Sequence, residues 1–333
     1  MSLLDMDNLT IIDEEPLDES HGWDPQHRPL PQLLNYGIIC VDKPPGPSSH
    51  EVVAWVRRIL EITKAGHSGT LDPPVTGLLP VGVGDATKVL ETLLMGPKEY
   101  YAIAKLHGSV DIDRLGNVIK EFTGTIYQKP PQRSAVKRET RSRTIYSLDL
   151  VENKDKLLLL RILCQAGTYV RKLVYDIGEV LGDGATMIEL RRTQVNHLKE
   201  SDGLVRLHEL MDAVHLWKNK HEEEKIRRLI KPVEHAVEHM KVVVIRDSAI
   251  DAICHGAQLA IPGVLRISKD IINGDKVCLY STKGEIVALG EAVLNTNDLV
   301  EKEKGIAFKT KRVIMKAGTY PRMWKPRDED KVQ

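Results

Sequence analysis

The segment Tyr36-Gly37-Ile38-Ile39-Cys40-Val41-Asp42-Lys43-Pro44-Pro45-Gly46-Pro47-Ser48-Ser49-His50-Glu51 contains a strand, a rigid turn and a helix start in direct succession. Tyr36 to Asp42 is a short apolar run of the kind that forms a buried strand. Three prolines and a glycine then stop the ladder, because proline lacks an amide donor and fixes its own φ. Ser48 followed by Glu51 is a capping box, and Val52, Val53, Val56, Ile59 and Leu60 recur at helical spacing behind it.

Outward from this segment the mixture continues without regular alternation. A second helix is expected after Asp85 with Val89, Leu90, Leu93 and Leu94 inward, then a strand over 99–107 and a helix over 111–122. A strand pair over 143–152 and 156–165 precedes a helix over 168–181, whose face Val170, Leu173, Val174, Ile177 and Leu181 is ended by Gly182. Ala185 to Val195 is expected as a strand, with helices filling much of 205–239. Strands and helices that mix without βαβ alternation give an α+β class. From Val242 the pattern changes to short β-rich runs (242–245, 258–261, 275–280, 286–294, 305–315) around one helix at 248–255. Asn273-Gly274-Asp275 and Lys283-Gly284-Glu285 supply turns, which predicts a small, partly open β-barrel. The expected organisation is an acidic extension over 1–34, a mixed α/β domain over 35–240 and the barrel over 241–327.

The chain has 333 residues, 47 basic and 47 acidic, and no run approaching a membrane helix; about 18 consecutive apolar residues are needed for one. The acidic start lacks a leader pattern, so an intracellular protein with no membrane partner is expected, cytoplasmic if archaeal and nucleolar if eukaryotic. Cys40, Cys164, Cys254 and Cys278 stand far apart, which argues for reduced core cysteines over a disulfide framework or a sulfur-rich zinc site. Neutrality hides an uneven distribution. The first 24 residues hold eight carboxylates and no Lys or Arg. Residues 129–143 carry six basic groups against Glu139 alone, and 309–327 carry seven with no acid. Two such clusters are either solvated faces or a polyanion-binding surface, where each cation on a phosphate releases counterions. The acidic leader is either a tail or an arm that folds onto a basic surface.

The chemistry concentrates in Gly66-His67-Ser68-Gly69-Thr70-Leu71-Asp72-Pro73. Two glycines, two hydroxyls and a following proline make a tight loop that can expose Asp72, or an ordinary Asp-Pro turn. A nucleophilic carboxylate needs a fixed cation beside it, and Arg171, at a helix start after Gly167-Thr168-Tyr169, is the candidate; its alternative is a surface arginine. His235-Ala236-Val237-Glu238-His239 matches an inverted zinc-protease pattern, but it stands among charged residues at a junction with no accompanying motif. A surface helix is the expectation there.

Six ordered motifs carry a family resemblance: Asp42 to Glu51, the loop ending Asp72-Pro73, Lys98-Glu99-Tyr100, Arg133-Ser134-Ala135-Val136-Lys137-Arg138, Gly167-Thr168-Tyr169-Val170-Arg171 and Glu189-Leu190-Arg191-Arg192-Thr193. Together they resemble the TruB-type pseudouridine synthases, and most the archaeal H/ACA guide-RNA branch, to which eukaryotic dyskerin is related. His255-Gly256-Ala257 and Ile261-Pro262-Gly263-Val264 give the barrel the look of a PUA domain. The resemblance implies a catalytic domain with a mixed central sheet, isomerisation of uridine to pseudouridine in rRNA or tRNA, and no metal or organic cofactor. It implies H/ACA guide RNA, substrate RNA and small H/ACA ribonucleoprotein core proteins as partners.

By the same resemblance Asp72, Tyr100 and Arg171 are the catalytic residues: Asp72 the nucleophile, Arg171 its ion-pair partner, and Tyr100 a platform for the extruded base. His67, Thr70, Arg133, Lys137, Tyr169, Leu190, Arg191 and Arg192 are implied to touch substrate RNA. For Arg191 and Arg192 strand-edge salt bridges are the alternative, and for His67 it is loop packing. Gly256, Ala257, Lys311 and Arg312 are implied to hold guide RNA. No Lys-rich tail like dyskerin's follows Arg327, which points to an archaeal protein, and no insertion typical of bacterial enzymes is evident. The rival readings are a stand-alone tRNA pseudouridine synthase and an RNA-binding scaffold whose catalytic domain has lapsed.

Overall fold

The structure is a computed structural model that describes residues 8–129 and 139–323. The chain divides into two compact units, one comprising 1–38, 82–89 and 223–333, the other 39–81 and 90–222.

The second unit is built on a mixed sheet. Its strands lie in the order Tyr36–Lys43, Thr76–Gly84, Ala185–Val195, Lys98–Leu106, Leu157–Cys164, Arg141–Lys154, Gly124–Gln128; the first two extend across unit boundaries. Thr76–Gly84 runs parallel to Ala185–Val195, while the pairs beyond are antiparallel. The capping box predicted at Ser48 and Glu51 opens the helix Ser49–Leu60, which buries Val52, Val53, Val56 and Leu60. Tyr100, Leu173, Val174, Ile177 and Leu181 belong to one core with Ala102, Leu160 and Ile162, so the helix Val170–Leu181 packs by its apolar stripe on the 98–106 and 157–164 strands. This packing fixes the helix start, where Arg171 stands. Gly182 ends the helix in the left-handed conformation expected of it.

Two elements differ from expectation. The helix expected after Asp85 is a 3-10 turn Asp85–Val89 followed by the short α-helix Leu90–Leu94. The strand Gly124–Gln128 was not expected; it pairs with the start of Arg141–Lys154.

In the first unit a seven-stranded sheet has the order Thr10–Ile11, Val264–Ile267, Lys241–Ile245, Lys276–Tyr280, Ile286–Ala292, Ile306–Val313, Leu259–Ala260. All neighbours are antiparallel except 241–245 with 276–280. The strand Val264–Ile267 and the helix Thr296–Glu301 were not expected, since Pro262-Gly263 and Asn295 read as turn residues. In the acidic leader Thr10 and Ile11 pair with Ile267 and Arg266, Asp13 meets Arg246, and Glu15 accepts from the Asp247 amide at 3.3 Å. Deeper in the same unit Arg28 forks onto Glu234 with hydrogen bonds of 2.8 and 2.7 Å.

The four cysteines are free; Cys40, Cys164 and Cys278 are buried. No described helix is long and apolar enough to cross a membrane.

Candidate active site

The loop that carries Asp72 is pinned from several sides. Lys43, with no exposed surface, donates to the carbonyls of Pro44 at 2.9 Å, Pro73 at 3.0 Å and Val75 at 2.8 Å. The buried Ser49 hydroxyl accepts from the Leu71 amide at 2.9 Å and donates back to the Leu71 carbonyl at 3.1 Å. Ser68 donates to the Leu90 carbonyl at 2.9 Å, and the Gly46 amide donates to Pro73 at 2.9 Å. Gly69 adopts φ +81°, and the Asp72 carbonyl accepts from Val75 at 3.0 Å to close the turn. Leu71 is thereby sunk into the core while Asp72 faces solvent.

Arg171 reaches that carboxylate. Its guanidinium donates to Asp72 Oδ2 at 2.8 Å, with side chains 58% and 60% exposed. The helix start that presents Arg171 is held by the buried Gln128 amide, which donates to the Tyr169 carbonyl at 3.1 Å and accepts from the Tyr169 amide at 2.9 Å. Gly167, at φ +80°, sets the preceding turn, and Thr168 donates to Gln165 at 2.7 Å.

Tyr100 is half-buried, opposite Arg192 in the ladder, and burial pushes its phenol above the usual range. His67 is half-buried, edge-on to His50 at 5.0 Å between centroids. Its Nδ1 is buried without a hydrogen-bond partner, and burial, then the neighbouring His50 and Arg192 charges, push its pKa down to about 4. It is therefore neutral at pH 7.

Asp72, Arg171, Tyr100 and His67 are thus linked through one set of contacts and charges in one unit. Thr70 is exposed two residues before Asp72, and Leu190 is half-buried against the core that includes Tyr100. Tyr169 caps the helix of Arg171. Arg133 and Lys137 lie outside the described residues.

The two strand arginines divide. Arg191 takes the salt-bridge alternative: its Nε is 3.0 Å from both Glu200 carboxylate oxygens, and its Nη1 is 3.0 Å from Asp42. Arg192 corrects the RNA-contact expectation. Only 1% exposed, it donates to the carbonyls of Leu78 at 2.9 Å and Gly69 at 3.0 Å, and so stands below the surface that a phosphate would meet.

In the other unit Gly256 and Ala257 are exposed, Gly256 at φ +89° with open space about its Cα. Thr310 donates to the Ala257 carbonyl at 2.6 Å, tying that loop to the strand Ile306–Val313, where Lys311 and Arg312 are exposed. The H-x-x-E-H segment is not the expected surface helix. Val233–Ala236 is a 3-10 turn whose Val233, Glu234 and Ala236 are buried, with Glu234 held inward by Arg28 and the Ile286 amide, so the segment does not present a polar helix face to solvent. His235 contacts Glu238, and among the described residues no three His, Cys, Asp or Glu side chains gather as a metal site.

Sequence reasoning missed the anchoring roles of Lys43, Ser49, Ser68 and Gln128. Lys43 and Ser49 stood inside a quoted motif, so the signal was present without its geometry.

Four family models match the chain: the TruB family pseudouridylate synthase N-terminal domain over residues 57–170, the tRNA pseudouridylate synthase B C-terminal domain over 171–238, the PUA domain over 241–314 and the DKCLD (NUC011) domain over 1–53. A probable tRNA pseudouridine synthase B of Methanopyrus kandleri is 50% identical, covering 93% of this chain and 92% of its own. Its namesake in Methanocaldococcus jannaschii is 47% identical over 96% and 95%. Among solved structures, a chain from an H/ACA RNP bound to a substrate RNA containing 2'-deoxyuridine superposes with a TM-score of 0.88 at 44% identity, covering 95% of this chain and 97% of that one. A chain from the archaeal box H/ACA sRNP Nop10-Cbf5 complex gives 0.86 at 44% identity, covering 95% and 98%.

Proposed function

This chain belongs to the TruB family of pseudouridine synthases, and from that premise we propose that it isomerises specific uridines of rRNA or tRNA as the catalytic subunit of an H/ACA guide ribonucleoprotein in the cytoplasm. The observation that carries the chemistry is the exposed Asp72–Arg171 pair on a loop anchored from beneath. An exposed ion pair contributes little to folding, about 0–1 kcal/mol. Two residues held this firmly for so small a return are suited to a reaction.

Asp72 is the nucleophile, and Arg171 orients its carboxylate through the fixed donor of a planar guanidinium. The N1–C1′ bond of uridine breaks, uracil turns, a C5–C1′ bond forms, and the C5 proton leaves as N1 gains one; the atoms balance with no cofactor. Attack on the sugar and attack on the base both fit an exposed carboxylate. Tyr100 provides the ring against which the base turns, and neutral His67 packs the space left when the nucleotide is extruded, which duplex uridine requires. Thr70, Tyr169 and Leu190 line the approach to Asp72.

The partition proposed is an N-terminal extension over 1–34, a catalytic domain over 35–240 and an RNA-binding PUA domain over 241–327. Gly256, Ala257, Lys311 and Arg312 hold the guide, through a loop open to close approach and a basic strand. The similar chains solved within H/ACA assemblies support this addressing; guide RNA and small core proteins are then its partners. Tritium release from 5-tritiated uridine in RNA tests both levels. Turnover that needs guide RNA and core proteins is expected on rRNA targets. Full turnover on tRNA without them would establish the stand-alone reading instead.

A further inference from the structure

We propose that Arg192 is a positioning residue of this active site, tying the Asp72 loop to the central strand at the point where Tyr100 stands opposite it; the proposal rests on the site reading above. The guanidinium is buried and makes two hydrogen bonds, to the Gly69 carbonyl three residues before Asp72 and to the Leu78 carbonyl on the strand that leaves the same loop, and Arg192 stands opposite Tyr100 in the ladder. A planar fork holds both acceptors at fixed angles, which a lysine ammonium on a flexible stem does not.

The burial is unfavourable for folding alone. No described carboxylate is ion-paired with Arg192, and carbonyl dipoles offset the desolvation of a buried cation only in part. Lys43 and Lys98 nearby are also buried and held by carbonyls. The backbone around Arg192 is built for closeness. A Cβ on Gly77 would lie 2.2 Å from the Arg192 carbonyl, and Gly77 sits at φ +100°. On the other side, the ladder register shifts between Glu99 and Tyr100, where Tyr100 meets Arg192. Both strands are therefore shaped to bring loop and phenol within reach of one side chain.

Arg192 acts on the reaction through these two groups, since it has no surface to offer substrate. It favours the phenolate of Tyr100 against the larger opposing effect of burial, while Cys164 and Asp72 act the other way. His67 and Lys98 feel the same guanidinium, and both are pushed down, first by burial.

The test uses the full chain with Arg192→Lys, Arg192→Met, Tyr100→Phe and Asp72→Asn. Single-turnover rate, RNA affinity and the titration of Tyr100 by tyrosine 13Cζ resonances, assigned with Tyr100→Phe, are measured. Both Arg192 variants are expected to lose about 100-fold in rate, the effect of an ångström-scale misplacement, with RNA affinity within about threefold. In Arg192→Met the Tyr100 phenol should titrate at higher pH, which a merely structural role would not produce. If Arg192→Met does not fold, Arg192→Lys carries the test through the split between rate and affinity. Near-normal rates in a folded variant, or an unmoved Tyr100 titration in Arg192→Met, overturn the proposal. Asp72→Asn separates the levels: if it keeps turnover the site reading itself falls, and if it is dead while the Arg192 variants are normal, only this inference falls.

Discussion

Two arginine–carboxylate pairs in this protein have nearly the same length and opposite settings. Arg171 meets Asp72 at 2.8 Å with both side chains more than half exposed, while Arg28 meets Glu234 at 2.7 Å with side-chain exposures of 4% and 1%. Water screens the first pair and keeps both partners reachable; the second is dry, forked and additionally bonded, with Glu234 accepting from the Ile286 amide at 2.9 Å. Distance alone would rank them equal. Burial separates a pair that can do chemistry from one that holds a fold together.

The sharpest way to break this contrast is Asp72→Asn. The amide keeps the shape but is no nucleophile, so turnover should fall to background while the urea unfolding midpoint stays at the wild-type value. A clear loss of stability would show that the exposed pair is structural after all. Arg171→Lys should follow closely, losing most activity with affinity and stability preserved, because one point charge replaces a planar donor. Near-normal tritium release would return Arg171 to the status of a surface residue.

The mirror experiment is Glu234→Gln. Removing one charge leaves buried Arg28 with only the longer contact to Glu285 at 3.9 Å, and breaking such a pair costs about 3–5 kcal/mol. A large drop in the urea midpoint is expected, with ordinary single-turnover rates in the fraction that remains folded. A loss below about 1 kcal/mol would mean that water reaches the pair.

How far the contrast was legible in the sequence differs between its halves. Asp72 stood out because its loop chemistry is local: glycines, hydroxyls and a proline within eight residues. Arg171 was placed by a helix start. The Arg28–Glu234 pair spans 206 positions, and nothing local in either residue announces the other. Arg192 was read as an RNA contact because adjacent strand arginines look alike in a string. Yet successive strand residues point to opposite faces, so Arg191 and Arg192 could not both share one surface. That periodicity was the available signal; the carbonyls awaiting Arg192 come from distant segments and were not visible. The strand Val264–Ile267 was missed because it follows Pro262-Gly263 and pairs with residues remote in sequence.

Acid should act on the two regions with opposite signs. His67 has its folded pKa depressed to about 4, below the usual 6.5, chiefly by burial. Above pH 6.5 it is neutral folded or unfolded; as pH falls from 6.5 to 4 the unfolded chain gains the proton and stability is lost. Burial raises the pKa of Glu285, beside Arg28, so the folded state holds that proton more tightly. Its contribution is fully present below the unfolded pKa and is lost as pH rises through the folded one. Urea midpoints at pH 7 and pH 5 should therefore show a fall that His67→Gln reduces and Glu285→Gln increases. Identical differences in both variants would mean that these groups are solvated.

The smallest effect concerns addressing, where exposure again decides what a charge can do. Lys311 is half-exposed, 3.1 Å from Glu291, and stands beside exposed Arg312 on the strand Ile306–Val313. Such a surface pair contributes about 0–1 kcal/mol, so Lys311→Gln and Arg312→Gln should leave folding intact. If each cation rests on a guide-RNA phosphate, each substitution removes one released counterion and shallows the plot of log affinity against log salt by about one unit. Single-turnover rates at saturating guide should not change, because Asp72 and Arg171 are untouched. The control is Lys218→Gln: Lys218 pairs with Glu61 on the surface of the other unit, so it should leave the slope alone. Equal slopes for all three variants and the wild type would show that the guide binds elsewhere. An equal shallowing by all three would reduce the basic strand to general attraction, without the local contacts that distinguish a site from a charged surface.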